Sequence, residues 1–360
     1  VTDTATIPVI GGILPETRAY NVFMLEVHPV IEVEEMILLD NGPIEAEFDT
    51  ATTTCFFSQF IGTPGKAIRG INSSLNIMDS FPDMIAMGTI GVSSNTGEIY
   101  LSTDYGAGWT EDVTVFSVNT GSILYSIDIP SLYGNPGSGP VDFAVHQDSQ
   151  EVWTSLYFES QVAYFPADTI NPDIGRINVG DPVSDPAGPT TIYIYQPTYK
   201  VFVASELKSE ITIIDGYSHT IIGTIELATP LVSPVPPAPA TPGMALIYDL
   251  DRLYVTTLLD GKLDFYNVST AEFEGTIQLS TGLHMILGIV YDPVSEHLFV
   301  TGQTADPYKG LVYVIDPVEN LVLYEAETSR FNPGFPAIDI TNRRLFVPDA
   351  IGYVDIFKIN

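Results

Sequence analysis

The sequence predicts an all-β chain folded as a seven-bladed β-propeller of four-stranded antiparallel blades. Three observations carry this. A short apolar tag recurs seven times along the 360 residues, as MILLD (36–40), IYLST (99–103), VWTSL (152–156), VFVAS (201–205), LYVTT (253–257), LFVTG (298–302) and LFVPD (345–349). Successive tags begin between 45 and 63 positions apart, a period typical of repeats that cannot bury their own apolar face without stacked neighbours. The 27 Pro and 29 Gly are spread among short runs of Val, Ile, Tyr, Phe and Thr, which is turn chemistry between strands.

One repeat shows the unit. Residues 141–146 (VDFAVH) alternate apolar and polar, a turn follows at 147–150, and 151–158 make a second strand. Residues 161–166 form the third strand and 174–179 the fourth. Third strands run into turns such as IDG (214–216), NVST (267–270) and IDP (315–317), whose side chains bond their own backbone. Fourth strands recur as GRINVG (175–180), GTIELA (223–228) and GTIQLS (275–280). The blades so read span about 18–60, 84–130, 140–180, 190–228, 243–280, 285–328 and 335–360 with 4–10, in one domain of residues 1–360. The last repeat has only three strands, 337–341, 344–349 and 353–359, and ATIPVI at 5–10 matches the fourth-strand pattern. Residues 5–10 are therefore expected to close the ring beside 353–359, which leaves no open edge. The first full blade is then 20–28, 35–40, 44–49 and 53–60.

The charge balance is 45 acidic against 13 basic residues, a net −32. Such a surface repels phosphate backbones, so no nucleic-acid partner is expected. It suits a secreted protein in salty or divalent-rich water, where cations screen the repulsion. No apolar run approaches the length of a spanning helix, so no membrane span is expected. Val1 stands where an initiator Met would be, the expectation for a mature or trimmed chain. A single cysteine, Cys55, excludes an internal disulfide framework and reads as an inert buried thiol.

Loops from fourth strands to the next blade are long, at 61–83, 131–140, 181–189 and 228–243, as are second-to-third links at 103–112 and 302–309. In a propeller these two classes share a face, and long loops on a rigid scaffold are where binding tends to live. Tyr105, Trp109 and Tyr133 lie in them and are the candidate binding residues. The proline-rich stretch 230–242 reads as a stiff, exposed strap or a docking ledge. Two sequons, Asn72-Ser73-Ser74 and Asn267-Val268-Ser269, mark Asn72 and Asn267 as glycosylation candidates.

The tags, the Ile-Asp turns at 214–215 and 315–316, the YVT of 254–256 and the INVG of 177–180 together resemble the YVTN family of propeller repeats over nearly the whole chain. That resemblance implies kinship with surface-layer and cell-surface propellers, periplasmic binding propellers, and relatives of lactonases and amine dehydrogenase large subunits. It points to the cell exterior and selects no ligand. Neither Trp109 nor Trp153 precedes an Asp, so Trp-Asp repeats are not indicated.

No phosphate loop, nucleophile elbow or Cys/His metal cluster occurs. His28, His146, Gln196, Asp249 and Asp292 end first strands. They form either a polar ring at the channel mouth that takes a cation, or the turn-entry position whose side chains bond the turn. His219 and His297 do not read as ligands. The expectation is a secreted, extracellular or cell-surface recognition and structural propeller that is not an enzyme. It would need no cofactor beyond calcium in oxygen-rich loops, and would assemble as a homo-oligomer, array or filament. The alternatives are a monomeric propeller that binds a glycan or surface protein, and a lactonase-like, metal-dependent hydrolase. The hydrolase would draw on Asp104, Glu111, Asp112, Glu206, Glu210, Asp260 and Asp306.

Overall fold

A computed structural model describes residues 30–39, 42–59, 65–84, 86–103, 112–130, 132, 139–231, 241–279, 283–304 and 308–360. Seven four-stranded antiparallel sheets are arranged as the blades of a propeller. The inner strands, from blade one to blade seven, are Pro43–Asp49, Ala86–Ser93, Phe143–His146, Pro189–Tyr195, Met244–Ile247, Leu283–Asp292 and Ala337–Asp339. Each lies against the next, and Pro43–Asp49 also packs on Ala337–Asp339, so the inner strands close a ring.

The second strand of each blade explains the repeating tag. The third residue of that strand is aromatic in every blade: Phe56, Tyr100, Trp153, Phe202, Tyr254, Phe299 and Phe346, each at most 1% exposed. A strand covered on both sides by neighbouring sheets reads as a continuous apolar run rather than an alternating one. Apolar clusters fill the spaces between sheets. One joins Phe202 and Ile213 of blade four to Leu253 and Tyr266 of blade five, and another joins Tyr254 of blade five to Leu298 and Tyr313 of blade six.

Hydroxyls at the fourth place of the tag join blades in register. Ser155 donates to the carbonyl of Thr190 at 2.5 Å, Thr256 to that of Leu287 at 3.1 Å, and Thr301 to that of Gly334 at 2.7 Å. The acceptors lie at the start of, within or just before the next inner strand. The threonine of the YVT motif is therefore an inter-blade hydrogen-bond donor.

The ring closes on a different segment from the one expected. The outer strand of blade seven is Ile31–Leu38, paired antiparallel to Tyr353–Ile359 from Ile31 opposite Ile359 to Leu38 opposite Tyr353. The other edge of Tyr353–Ile359 is taken by Arg344–Asp349, so no edge is left for residues 5–10, which lie outside the described residues. Blade one shifts accordingly. It comprises Pro43–Asp49, Thr54–Gln59, Ile68–Asn72 and Ile77–Met78, and its last two strands occupy what reads in sequence as a long loop. Residues 35–38 thus belong to the closing strand, 44–49 to an inner strand and 54–59 to a second strand; 20–28, 40 and 60 lie outside the described residues.

The physical reason is burial on one side against burial on both. Val33, Met36 and Leu38 are exposed while Ile31 and Ile37 are buried, as suits an outer strand. Cys55, Phe56, Phe57 and Ser58 are all fully buried, as the second strand requires. Glu34 of the closing strand is gripped by Arg344 through Nε at 2.8 Å and Nη2 at 2.7 Å, a two-pronged pair that lowers the Glu34 pKa.

Candidate functional site: the central channel

The seven inner strands surround a cavity of about 730 Å³. Four residues before each first-to-second turn, equivalent positions hold Glu45, Thr89, Asp142, Thr191, Gly243, Gly288 and Phe335. Strand alternation turns this position repeatedly toward the same side. In the first four blades the position is polar, and in the first three of them its side chain bridges to a neighbouring blade.

Asp142 is the hub. Its Oδ1 accepts from the Phe143 amide at 2.8 Å and from the Thr89 hydroxyl, and its Oδ2 accepts from the Ile192 amide at 2.6 Å. One carboxylate therefore ties blades two, three and four. Glu45 does the same for blades one and two, its Oε2 accepting from the Ile90 amide at 2.8 Å. These bonds satisfy backbone N–H groups that the ring geometry leaves without a strand partner.

The electrostatic cost is visible in the titration of the group. Burial raises Asp142 to about 6, against the lowering effect of its three hydrogen bonds. Burial, then the charge of Asp142, raises Glu47 to about 8. Glu45 is pushed well above the usual carboxylate range by burial, then by Asp142 and Glu47. In this enclosed wall of mutually repelling carboxyl groups, Glu45 and Glu47 hold protons at neutral pH unless a cation offsets them, while Asp142 is mostly ionised.

Toward the turn end, Tyr195, Tyr248, Tyr291, Asp249 and Glu296 also line the cavity. Among the described residues lining it, none is Lys, Arg or His. The channel is thus anionic and partly aromatic.

The turn-entry residues do not form a polar ring. His146 is buried: the Ser149 amide donates to Nδ1 at 3.1 Å, Nε2 donates to the Gln196 carbonyl at 3.0 Å, and the ring stacks on Tyr199. Asp292, also buried, accepts from the Val294 and Ser295 amides at 3.0 and 3.2 Å and pairs with Arg343 at 2.6 Å. The turn-bonding role holds for these two, while Gln196 and Asp249 do line the channel. His28 lies outside the described residues. His219 bridges to Glu151 at 3.0 Å and stacks on Tyr164. His297 sits half-buried in a second strand.

Tyr105, Trp109, Tyr133, Asp104, Glu111 and Asp306 lie outside the described residues. Glu210 and Asp260 pair locally, with Lys208 at 3.8 Å and Lys262 at 3.9 Å. Asp112 begins a third strand in blade two, and Glu206 follows a second strand in blade four. Among the described residues, no three His, Cys, Asp or Glu side chains converge as metal ligands. Asn72 ends a strand and accepts from the Ser74 and Asn76 amides at 3.0 and 3.1 Å. Asn267 accepts from the Thr270 amide at 2.9 Å, and its amide nitrogen, the atom a glycan would occupy, donates to Glu274 at 3.3 Å. Cys55 is fully buried, and burial raises its thiol pKa.

Sequence reasoning missed Glu45, Glu47 and Asp142 because each occupies a polar place in an alternating strand. A signal was present: counting back four from the turn aligns Glu45 and Asp142 in one slot, with Glu47 two residues further along the strand of Glu45.

No protein-family profile matches the chain, and no curated protein matches it. Among solved structures it is similar to the WD40 β-propeller domain of Doa1, at 11% identity and a TM-score of 0.66, over 92% of this chain and 97% of that one. It is also similar to the β-propeller domain of Cps50 (Swd1) from Myceliophteria thermophila, at 11% identity and a TM-score of 0.65, over 92% of this chain and all of the other. At that identity the likeness establishes the propeller fold alone. The finer resemblance to YVTN repeats rests on the sequence slots.

Proposed function

We propose that this chain is a protein-binding propeller rather than an enzyme, and that its central channel receives a positively charged segment of a partner. One observation carries the reading. The channel wall presents Asp142, Asp249 and Glu296, together with Glu45 and Glu47, whose protons a bound cation would displace, and no basic side chain is among its described lining. A concave wall of one sign focuses the field and steers an oppositely charged partner into it. The overall −32 charge and the YVTN-like repeats support an extracellular or cell-surface setting, where cations screen the surface.

The test is binding of a fluorescent hexalysine peptide and a hexaglutamate control, read by anisotropy across a salt series. The wild type is compared with the channel variant Glu47→Gln/Asp249→Asn/Glu296→Gln. A charge-matched variant altered at exposed Asp148, Asp173 and Glu319 controls for surface charge. Hexalysine binding that falls about tenfold in the channel variant alone supports the proposal. Equal losses in both variants, or no binding, overturn it.

A second reading, self-assembly into an array or filament, is favoured by the outer strands. They expose Ile123 and Leu124, Ile221 and Ile222, Phe273, and Leu321 and Leu323. Contiguous apolar edges of this kind are a recognised association hazard. Ordered filaments in micrographs of native material, with added mass at Asn72 or Asn267, would support it; a monomer at the sequence mass would remove it.

A further inference from the structure

The turn-side mouth of the channel has two unlike halves. Across blades two to four it is closed by glutamine stitches. Gln147 accepts from the Ser94 amide at 2.9 Å and donates to the Val92 carbonyl at 2.8 Å. Gln196 repeats this one blade on, accepting from the Gln147 amide at 2.9 Å and donating to the Val145 carbonyl at 2.8 Å. The next equivalent residue is Tyr248, which cannot make such a stitch. Its ring stacks on Tyr195 instead, with centroids 5.3 Å apart and planes within 8°, and the residue remains 54% exposed.

Beside this pair, Tyr291 of blade six lines the same cavity with the exposed carboxylates of Asp249 and Glu296. Neither carboxylate forms an ion pair with a described basic side chain. The groups are near enough to act on one another. Tyr195 is raised by burial and then by Asp249, and Tyr291 by burial and then by Glu296 and Asp249. Three aromatic residues and two unpaired acids thus share one mouth, where packing of the blades asks only for the polar stitch used elsewhere.

We propose that Tyr195, Tyr248 and Tyr291, with Asp249 and Glu296, form a binding site for an alkylammonium group. A metal ion fits poorly. Such ions need several oxygens at ligand distance, and no such convergence exists among the described residues. An alkylated ammonium spreads its charge over methyl or methylene groups, is weakly hydrated, and gains from both ring faces and nearby carboxylates. This inference deepens the recognition reading by naming the group that the mouth would hold.

The test uses tetramethylammonium followed by NMR or calorimetry, 3,3-dimethylbutanol as a neutral probe of similar shape, and sodium chloride at matched ionic strength. Acetyl-trimethyllysine amide and acetyl-lysine amide distinguish a free cation from a side chain. The expected result is saturable tetramethylammonium binding that neither the alcohol nor sodium reproduces. Tyr248→Ala weakens it about tenfold, Tyr248→Phe leaves it within about twofold, and Asp249→Asn weakens it about threefold. Tyr248 is exposed, so its variants should keep the parent melting curve, which is checked on the same samples. Equal binding of the alcohol, or tetramethylammonium binding unchanged in Tyr248→Ala, overturns the site. Hexalysine binding without tetramethylammonium binding removes the cage and leaves the recognition reading standing. The reverse pattern keeps the cage and removes that reading.

Discussion

Blades one to four and blades five to seven build the same channel wall by different means. In the first group the slot four residues before the turn carries Glu45, Thr89, Asp142 and Thr191, and side chains of the first three span the gap to a neighbouring blade. In the second group it carries Gly243, Gly288 and Phe335, and backbones meet directly. The Gly243 amide donates to the Leu287 carbonyl at 3.0 Å, and blade seven bonds blade one through the Phe335 amide and the Ile44 carbonyl at 2.7 Å. A Cβ on Gly334 would lie 1.9 Å from the Ile44 oxygen, so only glycine permits that approach. The difference teaches that one repeat tolerates two inter-blade distances, provided the freed amides are bonded by carboxylates where backbones stand apart.

Substitutions that act on one mechanism and spare the other sharpen this contrast. The largest effect is expected at the close-packed junction. Gly334→Val should force blade seven off blade one and cost about 4 kcal/mol or more, because backbone rather than a yielding side chain stands in the way. Denaturant unfolding measures it, and a loss under 1 kcal/mol would show that the blades part readily.

Asp142→Ala comes next, at about 2–3 kcal/mol, since it leaves the Phe143 and Ile192 amides without their acceptor. Asp142→Asn should cost roughly half as much because one acceptor oxygen remains. Equal losses for the two would mean that the charge, not the acceptor, matters.

The smallest effect concerns pH. An unfolded glutamate titrates near about 4.3, whereas folded Glu47 titrates at about 8. Below the unfolded value both states hold the proton, and the stabilisation is complete. As pH rises toward 8 the unfolded chain releases a proton that the folded chain keeps, so this contribution is lost. Asp142, raised to about 6, acts in the same sense over a narrower window. The melting temperature of the wild type should therefore fall by a few degrees more than that of Glu47→Gln between pH 5 and pH 8. Parallel curves would contradict the burial of a proton at Glu47.

Much of the architecture was legible in the chain. Phe202, Tyr254 and Phe299 announce second strands because burial on both faces demands an unbroken apolar run, which no outer strand needs. The misreading at 36–40 has the same origin. MILLD resembles a second strand in composition, yet Met36 and Leu38 face outward, and composition does not report facing. The aromatic rule would have located the true tag, since Phe56 lies one repeat before Tyr100 whereas Ile37 fills that place in MILLD.

The repeat, the seven sheets and the turns that join them can be read along the chain, because each depends on contacts within a repeat or with an equivalent neighbour. The tertiary structure alone decided which segment closes the ring and what lines its centre. Both depend on residues far apart in the chain: Ile31 with Ile359, Asp142 with Thr89 and Ile192, Tyr195 with Tyr248. Along each strand these are ordinary polar or apolar places, and a carboxylate or tyrosine acquires its environment only when the neighbouring blade is brought against it.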